Sequence, residues 1–281
     1  MNWMNDIKAL IFDMDGTLYQ DYTFMGRYIR KMMEGRFSEE EIEETTACAY
    51  DILEGKGPIK LGYFYDPERL VFYRQEELHP VSCSDWEGTA LDWNANAVGV
   101  LTYLGDPWGV AQLMAYRHGI PAEMGRNAFE EVRKEMLTEA YLIVKHAGLF
   151  DAIAALRGKR LILMTNSPLP TGQDFVDFLG AEDVFDEIYY DGKKPDGITG
   201  LSDKLIKEGF APHEILSIGD HPWNDLHPVR RIGGHTCLVS RHQHDDATPW
   251  SASVASVEEL AAFLMELKEQ TSAERKEEIY G

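Results

Sequence analysis

Four short apolar runs punctuate the chain: Ala9-Leu10-Ile11-Phe12, Leu161-Ile162-Leu163-Met164, Ile215-Leu216-Ser217-Ile218 and, less uniformly, Thr236-Cys237-Leu238-Val239. Each is too short for a helix and is flanked by turn or polar residues, as expected of strands buried in a parallel sheet. Helical patterns lie between and after them. Pro170 to Leu179 stops at Gly180 and Leu201 to Glu208 stops at Gly209, both fitting C-terminal caps. A final helix opens on the capping box Ser256-Val257-Glu258-Glu259 and places Leu260, Phe263, Leu264 and Leu267 on one face. Strands alternating with helices from Asp151 onward predict an α/β fold with a Rossmann-like parallel sheet.

The first strand is separated from the second by far more chain than one crossover needs. The intervening segment is therefore expected to be an inserted, mostly α-helical cap domain. Its predicted helices are Phe24 to Glu34, Ser38 to Leu53, Trp108 to His118 behind Asp106-Pro107, and Asn127 to His146 closed by Gly148. Between Gly55 and Gly105 the pattern breaks into Gly, Pro and aromatic residues and predicts no definite element. The expected division is a core of 1–20 and 150–270, a cap of 21–149, and a charged tail of 271–281 that frays.

Of 281 residues, 44% are hydrophobic, enough for a sizeable core, which excludes wholesale disorder and small disulfide scaffolds. With 27 Lys plus Arg against 48 Asp plus Glu, the formal charge is −21. So acidic a surface argues against coating nucleic acid or lying on an anionic membrane. Apolar runs all fall short of the ~18 residues needed to span a bilayer. The segment Met1 to Asp6 lacks the basic and long apolar parts of a secretion signal. Cys48, Cys83 and Cys237 are odd in number and widely spaced, which fits free thiols in a cytoplasmic protein.

The chemistry-bearing groups cluster at strand ends, where open α/β sheets collect their ligands. Asp13-Met14-Asp15-Gly16-Thr17-Leu18 follows the first run. Residues two apart in extended chain project the same way, so Asp13 and Asp15 can face one site, and Gly16 permits a tight turn. Thr165-Asn166 closes the second run, Lys193-Lys194-Pro195 follows Ile188-Tyr189-Tyr190, and Gly219-Asp220 with Asn224-Asp225 closes the third. Asp13, Asp15, Asp220 and Asp225 in one crevice call for a bound cation or for protonation. All-oxygen ligands suit magnesium, which with Lys194 could hold a phosphate despite the acidic chain.

In this order the motifs resemble the haloacid dehalogenase-like hydrolases, over about residues 6–19 and 151–265. The resemblance implies a phosphatase branch with a cap inserted between the first and second motifs. It makes Asp13 the nucleophile and Asp15 the general acid and later base, its backbone carbonyl on the metal. Gly16, Thr165, Asn166 and Lys194 would serve the phosphoryl group, and Asp13, Asp15, Asp220 and Asp225 would hold Mg2+. Lys193 competes with Lys194, though the family's lysine usually precedes proline directly. Helix N-capping competes as a role for Asp225. The expected activity is magnesium-dependent hydrolysis of a small phosphorylated metabolite. A sugar phosphomutase could use the same residues, and a retired scaffold serving as a binding protein would show damaged chemistry. A calcium-binding loop would need ligands that do not follow Gly16.

In the expected cap, Trp86, Trp93, Trp108, Tyr63, Phe64, Tyr65, Phe72 and Tyr73 fit a small domain's core better than stacking on a base or sugar. Tyr19, Tyr22 and Arg27 either line a cleft or pack at the surface. Arg69, Arg74, Arg117 and Arg126 are candidates for a second anionic group, against a default of solvated faces. His242-Gln243-His244-Asp245-Asp246 reads as an ordinary loop rather than a transition-metal site, and His221 is a neighbour of Asp220 without an assigned role.

Overall fold

The computed structural model describes residues 3–92 and 99–280, with side chains as far as 270. The chain forms two compact units. The first comprises Met1–Gln20, Ile143–Arg241 and Trp250–Gly281; the second comprises Asp21–Leu142 and His242–Pro249. Elements are numbered in chain order through both.

The first unit is built on β1 (Ala9–Phe12), β7 (Arg160–Met164), β8 (Glu187–Tyr189), β9 (Ile215–Gly219), β10 (His235–Val239) and β11 (Ala252–Val254). They form one sheet in the order β11-β10-β9-β1-β7-β8, every neighbouring pair parallel. The apolar runs are strands because both sheet faces are covered, so alternation is lost and each residue of β1 is buried. Ala9 and Ile11 pack with Ile162, Met164, Ile215, Ile198, Leu201 and Leu205. Burying each Ile or Leu side chain contributes about 1.5–3 kcal/mol. The register places Phe12 opposite Leu163 on one side and Ile218 on the other. Consequently β1, β7 and β9 end at the same level, and the residues after them share one edge.

Helices α5 (Ala147–Ala154), α6 (Thr171–Leu179), α7 (Asp196–Lys207), α8 (His227–Arg231) and α9 (Val257–Tyr280) complete this unit. Gly180 ends α6 in the left-handed conformation, as its sequence predicts. Ser256 accepts from the Glu259 N–H at the start of α9, whose backbone is helical as far as Tyr280. Residues 271–281 include three Glu, a strong helix former. Among the described residues no helix is long and apolar enough to cross a membrane.

The second unit combines α1 (Phe24–Met33), α2 (Glu39–Leu53), α3 (Pro107–Arg117) and α4 (Ala122–Glu135) with five strands. These are β2 (Phe64–Asp66), β3 (Val71–Glu76), β4 (His79–Ser84), β5 (Ala90–Leu91) and β6 (Thr102–Tyr103), in the antiparallel order β5-β4-β3-β2-β6. Ser38 and Glu41 cap α2 reciprocally, and Asp106 caps α3 by accepting from the Gly109 N–H. The helix expected from Asn127 to His146 ends at Glu135, and residues 136–146 are turns and irregular chain before α5 begins at Ala147. The Thr138 hydroxyl turns back on the Glu135 carbonyl at 2.7 Å and stops α4, while Gly148 lies inside α5 instead of closing a helix.

Residues 242–249, between β10 and β11, belong to this second unit. The Asp245 N–H donates to Leu61 O at 2.7 Å, and Tyr103 OH donates to Asp246 at 2.9 Å. The His242 ring contacts Leu53 O at 2.9 Å and stands edge-on to Tyr22. The histidine-rich run is thus spent on packing.

Candidate active site

Asp13 directly follows β1, and its N–H extends the ladder by donating to Ile218 O at 2.9 Å. The carboxylate is only 7% exposed. Lys194 Nζ lies 2.5 Å from Asp13 Oδ1 and 2.6 Å from Asp225 Oδ1. Lys193 points elsewhere, 3.9 Å from Asp191 and largely exposed, so Lys194 is the lysine of the cluster. Asn166 Oδ1 accepts from the Lys194 N–H at 2.8 Å, tying the lysine's loop to the end of β7.

Asp225 lies in the π-helical turn Pro222–Leu226 after β9. Its carboxylate accepts from the His221 N–H at 3.0 Å, and its carbonyl accepts from Ser217 Oγ at 2.6 Å. The carboxylate therefore faces Lys194, which departs from a helix N-cap role. Carboxylate oxygens of Asp13, Asp220 and Asp225 lie within 4.8 Å of one another.

Burial pushes the Asp13 carboxyl above its ordinary range; the Lys194 ammonium pulls against this, and Asp225 and Asp15 add to it. Burial opposes charging Lys194, but Asp13 and Asp225 more than offset that and hold its ammonium well above the ordinary lysine value.

Two glycines make the cradle. A Cβ on Gly219 would lie 2.3 Å from Asp225 Oδ2, and one on Gly16 would lie 2.1 Å from Asp220 Oδ2. Gly16 also has φ +77°, which costs other residues about 1–2 kcal/mol. Gly16→Ala is expected to lose that much stability and to weaken magnesium binding about tenfold or more by displacing Asp220. Denaturant unfolding and calorimetric titration with magnesium measure both; unchanged magnesium affinity would contradict this placement of Asp220.

Asp15 is gripped by hydroxyls. Tyr19 OH donates to its Oδ1, while Ser167 Oγ and Thr165 Oγ1 donate to Oδ2 at 3.0 and 3.4 Å. Thr17 Oγ1 lies 3.4 Å from Asp13 Oδ2. Sequence reasoning singled out neither Ser167 nor Thr17, and left Tyr19 between cleft and surface. Ser167 carries the signal already used for Asp13 and Asp15, a residue two positions beyond another site group on extended chain.

The remaining candidates lie in the second unit. Trp108 stacks on Phe24 with centroids 3.7 Å apart, and Trp86 meets Phe72 edge-on beneath Arg117. Tyr65 and Phe72 are buried, so these aromatics fill that unit's core. Trp93 lies outside the described residues. Arg27 pairs with Glu135 at 3.3 Å, Arg69 with Asp66 at 3.9 Å and Arg74 with Glu76 at 3.1 Å; Arg126 is exposed.

Three carboxylates presenting hard oxygen ligands, in a cradle that only glycines leave open, fit a magnesium ion. No curated protein matches the chain. Among solved structures, the putative HAD-hydrolase YfnB from Bacillus subtilis, bound to magnesium, is 16% identical with TM-score 0.52. The alignment covers 92% of this chain and 98% of that one. The L-2-haloacid dehalogenase RSc1362 is 14% identical with TM-score 0.50, over 92% and 98% of the two chains. These likenesses establish the fold. The family model for haloacid dehalogenase-like hydrolases matches residues 7–233, most of the chain and the strand ends that carry Asp13, Thr165, Lys194 and Asp220. The chain belongs to the haloacid dehalogenase-like hydrolase family.

Proposed function

We propose that this hydrolase is a magnesium-dependent phosphatase that acts on a small phosphomonoester through an aspartyl-phosphate on Asp13. The observation that carries this reading is Asp15, whose Oδ2 is held beside Thr165 and Ser167 next to the buried Asp13. An alkoxide is a poor leaving group and needs a positioned acid, whereas a departing halide does not. Family resemblance adds that dehalogenating members lack a second aspartate at this place.

In the first step an Asp13 oxygen attacks phosphorus as the bond to the ester oxygen breaks, and Asp15 delivers its proton to that oxygen. In the second step Asp15 takes a proton from water while the water oxygen attacks phosphorus. The bond to Asp13 then breaks and inorganic phosphate forms. Lys194 compensates charge on the transferring group, and Thr165 and the Asn166 N–H hold its oxygens. Magnesium, when held by Asp13, Asp220, Asp225 and the Asp15 carbonyl, supplies further charge neutralisation.

The test is phosphate release from sugar phosphates, nucleotides and short phospho-acids, after chelation and after magnesium is restored. Magnesium-dependent release from at least one class is expected. Halide release from L-2-haloacids without phosphate release would overturn the reading, as would isomerisation of a hexose phosphate without free phosphate.

A further inference from the structure

Tyr19 is 2% exposed, and its ring packs tilted against Phe175 of α6 with centroids 5.5 Å apart. A backbone bridge pairs Asp15 with Tyr19 across the turn that contains Gly16. A buried tyrosine has two side-chain torsions, and here packing on one side and the bridge on the other fix where its hydroxyl lies. That hydroxyl donates to Asp15 Oδ1. The other carboxylate oxygen, Oδ2, faces the β7 end, where Ser167 Oγ and Thr165 Oγ1 reach it.

The two oxygens of Asp15 therefore have different tasks. Oδ1 is tethered to a rigid phenol anchored in the hydrophobic core. Oδ2 lies among small hydroxyls, of which the serine's can rotate. We propose that Tyr19 is a positioning residue for Asp15, fixing the carboxylate plane and leaving Oδ2 as the oxygen that exchanges a proton with the leaving group and then with water. The inference rests on the phosphatase reading for its chemistry and on the Tyr19–Asp15–Phe175 geometry for its structure. Proton transfer is sensitive to misalignment, so a carboxylate free to swing delivers its proton less well to a basic leaving group than to one that departs unaided.

Tyr19→Phe keeps the ring and its contact with Phe175 and removes only the tether. Single-turnover kinetics with magnesium would follow phenol release from phenyl phosphate and nitrophenol release from 4-nitrophenyl phosphate. The variant is expected to slow the first by about tenfold or more and the second by less than about threefold, with KM little changed. Equal slowing of both esters, or none, would overturn the positioning role. A crystal structure of Tyr19→Phe supplies a readout independent of turnover. The Asp15 carboxylate is expected to rotate away from its contacts with Ser167 and Thr165, and an unmoved carboxylate would overturn the proposal. Should the unaltered protein cleave no phosphomonoester, the phosphatase reading falls, while that structure still decides whether Tyr19 holds Asp15.

Discussion

Asparagine in place of Asp13 is expected to lower phosphatase turnover by roughly a thousandfold or more, because an amide cannot form the acyl phosphate. The same variant, freed of metal by a chelator, loses its side of the buried ion pair with Lys194, and its stability is expected to fall less than the parent's as pH rises. Asp13 sits 7% exposed with Asp225 and Asp15 nearby, and burial raises its carboxyl above the ordinary value near 3.8. A group whose folded pKa is raised contributes most below its unfolded value, and that contribution is lost as pH climbs toward the folded one. An amide of the same shape does not titrate, so the stability difference should shift in the variant's favour as pH rises from about 4 to neutrality. Urea unfolding at a series of pH values with chelator measures this, and phosphate release measures activity. Retained turnover would remove Asp13 as nucleophile; a stability difference between variant and parent that does not change with pH would contradict the burial argument.

Lys194→Met removes the other side of the same ion pair. The Lys194 side chain is 3% exposed, and its ammonium is the counter-charge 2.5 Å from Asp13 and 2.6 Å from Asp225. Methionine keeps the unbranched stem but leaves buried carboxylates facing one another. Breaking a buried ion pair from one side costs about 3–5 kcal/mol. The metal-free variant is expected to lose an amount of that order, and turnover about a hundredfold to a thousandfold. Magnesium should restore part of the stability and little of the activity, since its carboxylate ligands remain. Adding Asp13→Asn to Lys194→Met should also recover part of the stability, because the two side chains share one contact. Wild-type stability of Lys194→Met in chelator would show that the ion pairs contribute little.

The ends of β1, β7 and β9 were readable because these strands are buried along nearly their whole length and stand out as short apolar runs, whereas β8, before Lys194, is only half-buried. Asp13, Thr165 and Asp220 owe their legibility to that arrangement. The hydroxyls around Asp15 were harder to read, since Tyr19 and Ser167 meet it only after a turn and a parallel strand pairing bring them together. The sheet of β2 to β6 was hidden for a different reason. Gln75 is a buried polar residue whose side-chain oxygen accepts from the Leu78 N–H at 2.7 Å, at the point where the pairing of β3 with β4 shifts register. A polar residue at an inward position and a bulge together erase the alternation by which a strand is recognised. The helix α4 was over-extended because periodicity carries no sign of a Thr138 hydroxyl turning back on its own helix end.

Residues 242–249 limit how this chain can be recombined. Modular exchange among hydrolases that carry an insertion presumes one continuous piece with two junctions. Here the second unit consists of Asp21–Leu142 and His242–Pro249, contributed from both sides of β7 to β10. A graft of the longer piece alone would leave the Leu61 carbonyl, the Leu53 carbonyl and the Tyr103 hydroxyl facing whatever loop the recipient has at that point. An exchange that keeps these contacts has to move both pieces together, with four junctions in place of two.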